Sequence, residues 1–62
     1  MLEYVKTILH KVSFDPYLFE KELRKSMQHL ISDELTELQS WCYSHFGDVY
    51  MPILNSVFVA SN

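Results

Sequence analysis

Cys42 and His45 are the pair of side chains whose types and spacing could do chemistry together. Three residues apart on a helix, they share a face. There a thiolate and an imidazole could ligate one metal ion, or act as nucleophile and base. A metal site needs two more ligands, and His10 or His29 would have to come from other helices. A nucleophile needs an accessible thiol of lowered pKa, yet no lysine or arginine follows Lys25 to stabilise the anion. Cys42 also falls on an apolar stripe, where a free cysteine serves as a small hydrophobe. The expectation is a buried, inert thiol with His45 at the bundle edge, and neither catalysis, metal nor cofactor. A metal-binding or redox protein using Cys42 and His45 stands as the alternative.

The remaining charged groups have simpler explanations. Asp33, Glu34 and Glu37 could be read as general acid–base pairs, but the first turn of a helix favours acids for its dipole alone. Lys21, Arg24 and Lys25 form a small basic patch that Glu20 and Glu22 interrupt. All five basic residues lie within the first 25 positions, whereas Asp33, Glu34, Glu37 and Asp48 stand alone after them. The net charge of −3 is therefore a mildly basic N-terminal part followed by an acidic C-terminal one. Neither provides the basic track that a phosphate backbone requires, so nucleic acid is excluded as a partner.

These side chains must be positioned by helices. Apolar residues at spacings of three and four predict a helix over 2–12, built on Leu2, Val5, Leu9 and Val12. Asp15-Pro16 predicts the next start: aspartate caps, and proline loses no hydrogen bond at the first helical position. The resulting helix over 16–31 carries Phe19, Leu23, Met27 and Leu30 inward, and Phe14 and Phe19 have the spacing of a hydrophobic staple. Ser32 reads as a cap for a third helix over 33–46, with Leu35, Leu38, Cys42 and Phe46 inside. Gly47, the single glycine, stands where a left-handed residue often ends a helix. A turn over 48–51 and a short helix over 52–59 follow from Pro52, with a strand over 56–59 as the competing reading.

The whole is an all-α fold, a small antiparallel bundle of three to four helices in one domain over 1–62. Sixty-two residues, 48% of them hydrophobic and only one a cysteine, leave large apolar side chains rather than disulfides to stabilise it. Glu3, Lys6 and Lys11 interrupt any signal-peptide core, and every apolar run falls short of the ~20 residues of a membrane span. A soluble cytoplasmic protein without membrane partners is expected. Its Tyr and Trp side chains, a type enriched at protein interfaces, suggest a helical interaction module: a regulator, adaptor or accessory subunit. The expected contact set is Trp41, Tyr43, Tyr50, Met51, Leu54 and Phe58, on the apolar, acidic C-terminal half. The partner is another protein or a second copy, a homodimer. A purely homo-oligomeric structural protein is the remaining alternative.

Overall fold

A computed structural model describes residues 1–59. The described chain is all-helical and compact, with α1 over Leu2–Lys11, α2 over Pro16–Met27 and α3 over Ser32–Phe58. Each helix touches both others. They enclose a core whose fully buried side chains are Leu9, Phe19, Leu23, Leu38, Cys42, Leu54 and Val57. Burying a Leu or Phe of this kind contributes about 1.5–3 kcal/mol. Among the described residues no helix is long and apolar enough to cross a membrane.

The start of α2 forms as local chemistry dictates. One Asp15 carboxylate oxygen accepts the amides of Tyr17 and Leu18, at 2.9 and 3.3 Å, and Pro16 fills the first helical position. The staple does not close, because Phe19 is fully buried while Phe14 is 78% exposed. At its other end α2 stops at Met27, four residues earlier than periodicity predicts. The amides of Gln28 and His29 bond three residues back, to Lys25 and Ser26, which tightens the last turn. The chain then reverses so that Leu30 enters the core while Ile31 points outward.

Ile31, not Ser32, caps α3. Its own side chain has no acceptor, and the Glu34 carboxylate accepts the Ile31 amide at 3.2 Å. The larger departure is that the third and fourth expected helices are one. Gly47 does not adopt a left-handed conformation, and the helix runs through it. The expected turn over 48–51 is reduced to a kink at Tyr50, with φ −118° and ψ 24°. Pro52 explains the kink: it has no amide to offer the Asp48 carbonyl, and its ring crowds that oxygen. A strand over 56–59 is not adopted, since 56–58 are helical and Val59 caps the helix.

The kink also sets the size of the molecule. A straight helix of 27 residues would measure about 40 Å, whereas the longest dimension of the molecule is 26 Å. Bending at Tyr50 folds the last turns back, so that Leu54, Val57 and Phe58 reach the core.

Candidate interaction surface

Three of the six expected contact residues are core. Tyr50, Leu54 and Phe58 are 6%, 0% and 6% exposed. Without the kink their positions read as a sticky tail face; with it they close the core. Tyr50 does more than fill space. Its hydroxyl donates to the Ser13 carbonyl, and its ring lies 4.6 Å from that of Phe19, so the kink is tied to the loop before α2.

Trp41 and Tyr43 are part-buried and engaged. The Trp41 indole stacks on His45 with centroids 4.8 Å apart, and meets His10 and Phe46 edge-on at 5.6 and 5.5 Å. Lys6 places its ammonium 5.7 Å from the same ring while facing Glu3 and Glu37, each at 3.5 Å. This cluster joins α1 to α3 and leaves the indole little free face. Tyr43 donates to Asn55 Oδ1 at 2.6 Å, bracing the two limbs of α3 across the kink. Arg24 adds a second brace, reaching Ser56 Oγ at 3.3 Å from α2 and Glu20 at 3.0 Å on its own helix.

Cys42 and His45 point to different environments. Cys42 is fully buried, and that burial pushes its thiol up to about 12 from an ordinary 9.0. Such a thiol is neutral at physiological pH and a poor nucleophile or ligand. His45 is exposed, with Nδ1 3.0 Å from the Trp41 carbonyl oxygen. Among the described residues no three His, Cys, Asp or Glu side chains gather where they could hold a metal ion.

Met51, 44% exposed, is the one expected contact residue that the fold leaves largely free. Val49 and Val59, which aromatic enrichment could not single out, are 70% and 62% exposed. Val49, Pro52 and Val59 are exposed on the side of α3 away from its buried stripe, and Ser56 among them is reached by Arg24 of α2. The signal for this side was in the sequence as the face opposite the stripe of Tyr50, Leu54 and Val57. It became legible only once the helix was known to continue through Gly47. Asp48 borders it, and no lysine or arginine lies on α3. The chain matches no protein-family model, no curated protein and no solved structure.

Proposed function

We propose that this protein is a helical interaction module that binds another protein through the outer side of α3, centred on Val49, Pro52 and Val59 with Met51 and Asp48 beside them. The scaffold is an antiparallel three-helix bundle. Its two connections, 12–15 and 28–31, are short enough to reverse the chain at each end. The observation that carries the reading is the apolar surplus on α3. Its inward side already fills the core, yet Val49 and Val59 remain 70% and 62% exposed on the other. Exposed apolar side chains gathered on one side of a helix favour association, and the acidic border suits a partner with basic residues around an apolar contact.

Replacing both Val49 and Val59 by Asp tests it. Neither side chain is in the core, so helicity and melting temperature should hold, while any protein that co-purifies with the wild type from its native cell should be lost. Retention of the same protein by the double variant would remove this side of α3 from consideration.

A further inference from the structure

His10 of α1 and His45 of α3 meet across the junction of their helices, with ring centroids 6.2 Å apart and ring planes at 83°. Both residues are exposed. Trp41, the single tryptophan of the chain, contacts both rings. This pair differs from Cys42 with His45, where the thiol is sealed in the core. Spacing along one helix could not reveal it, because the two histidines lie on different helices.

The two imidazoles are prepared for a metal ion. Nδ1 of His45 lies 3.0 Å from the Trp41 carbonyl oxygen. A carbonyl oxygen only accepts, so Nδ1 carries the proton and Nε2 of the neutral ring presents its lone pair. Such a bond fixes tautomer and ring orientation, as the outer partners of metal-bound histidines do. Stacking on Trp41, with centroids 4.8 Å apart, holds the ring further. His10 contacts Trp41, His45 and Phe46 through its ring, and among the described residues no hydrogen bond takes its nitrogens. Two imidazoles on one ion, each with a nitrogen–metal bond of about 2.0–2.1 Å, have centroids roughly 5–6.5 Å apart. The observed separation falls inside that range. Perpendicular planes are allowed, because each ring can turn about its own nitrogen–metal bond.

We propose that His10 and His45 bind one divalent late transition-metal ion, copper(II) most tightly, and that the ion bridges α1 to α3. Imidazole suits copper, nickel and zinc, and copper stands highest in the affinity order. No third His, Cys, Asp or Glu joins the pair among the described residues, so water completes the coordination shell and the ion exchanges readily. The surrounding charge favours a cation. Lys6 lies 5.7 Å from the Trp41 ring, yet Glu3 and Glu37 each stand 3.5 Å from its ammonium. Asp48 follows His45 at the spacing of helical neighbours, while Lys11 projects about 100° round α1 from His10. Three carboxylates against two ammonium groups leave the neighbourhood net negative.

Titration of the isolated protein with copper(II), followed by Trp41 fluorescence, tests the inference. The unpaired electron of copper(II) quenches an indole lying against both ligands, so emission should fall saturably at one ion per chain. His10→Gln and His45→Gln should each raise the dissociation constant at least about tenfold, since loss of even an outer partner costs about 10–100-fold. His29→Gln should leave it within about threefold of wild type. Circular dichroism of each variant separates loss of a ligand from loss of fold. Wild-type NMR needs no substitution: trace copper(II) should broaden the ring signals of His10 and His45 before those of His29. Absence of saturable quenching would overturn the inference. So would binding that survives His10→Gln or His45→Gln, or broadening centred on His29. Metal binding is read on the isolated protein, so its failure is distinguishable from failure of the α3 reading.

Discussion

Pro16 opens α2, whereas Pro52 lies inside α3. At Pro16 the missing amide is one that a helix start would leave unpaired in any case, and the Asp15 carboxylate two atoms of backbone away caps the next two. Nothing beyond a few neighbouring residues is needed. At Pro52 the same ring interrupts a helix that nevertheless continues, bent at Tyr50. A proline inside a helix costs about 3 kcal/mol, so contacts distant in sequence must hold the bent limb. Leu54, Val57 and Phe58 in the core, Tyr50 on Ser13 and Arg24 on Ser56 supply them. One proline acts through local chemistry and the other is tolerated through tertiary structure.

That contrast can be broken most sharply at Leu54. Leu54→Ala empties a fully buried position on the bent limb and should cost about 2–5 kcal/mol. For a domain of this size that is a large part of its total stability, visible as a collapse of the urea midpoint. A loss below about 1 kcal/mol would mean that the limb is held by something other than its core contacts. The local side of the comparison is tested by Asp15→Ala, which removes the acceptor of two amides and should cost about 0.5–2 kcal/mol. Asn at this position should recover most of that loss, because it keeps the capping oxygen.

Tyr50→Phe removes only the hydroxyl that donates to the Ser13 carbonyl. The expected loss is about 0.5–1.5 kcal/mol. Unchanged stability would show that the kink needs the ring but not the hydrogen bond. Gly47 has helical geometry rather than a positive φ, and a methyl added there would meet only the Met51 Cε, at an ordinary 3.8 Å. Gly47→Ala should therefore stabilise the protein, by about 0.5–1 kcal/mol. A helix ending at a left-handed Gly47 would instead make the same substitution destabilising. The sign of the change, read from thermal melts, separates one bent helix from two helices.

The smallest effect at neutral pH belongs to the Cys42 thiol, and it emerges only in alkali. Burial holds this thiol protonated in the folded chain, up to about 12, while in the unfolded chain it ionises near 9.0. Above pH 9 the unfolded state then binds fewer protons than the folded one, so stability falls as pH rises. The contribution is complete below pH 9 and is lost progressively towards pH 12. Denaturation of wild type and Cys42→Ala at matched pH isolates it from the other groups of the chain. Parallel pH profiles would place the thiol in contact with water.

Much of the fold was legible in the residues. Of the expected inward positions of α1 and α2, Val5, Leu9, Phe19 and Leu23 are buried and Leu2, Val12 and Met27 half-buried, while Leu30 is buried from the connection beyond α2. Leu38, Cys42 and Phe46 on α3 are buried as well. The contact set was much less so: Tyr50, Leu54 and Phe58 have side chains that suit an interface equally with a core. Which role they take depends on where the limb beyond Pro52 goes.

The sequence by itself determined that the chain is helical, where α2 begins and which stripes face inward, because capping and periodicity act over a few residues. Only the tertiary structure decided that Gly47 is helical and that Pro52 bends α3 rather than starting a new helix. A 27-residue helix would be about 40 Å long if straight, and the bend, held by core contacts of Leu54, Val57 and Phe58, keeps the molecule to 26 Å. That packing depends on the whole molecule at once and is absent from any local pattern. The same bend turned the apolar tail into core and left Val49 and Val59 outside.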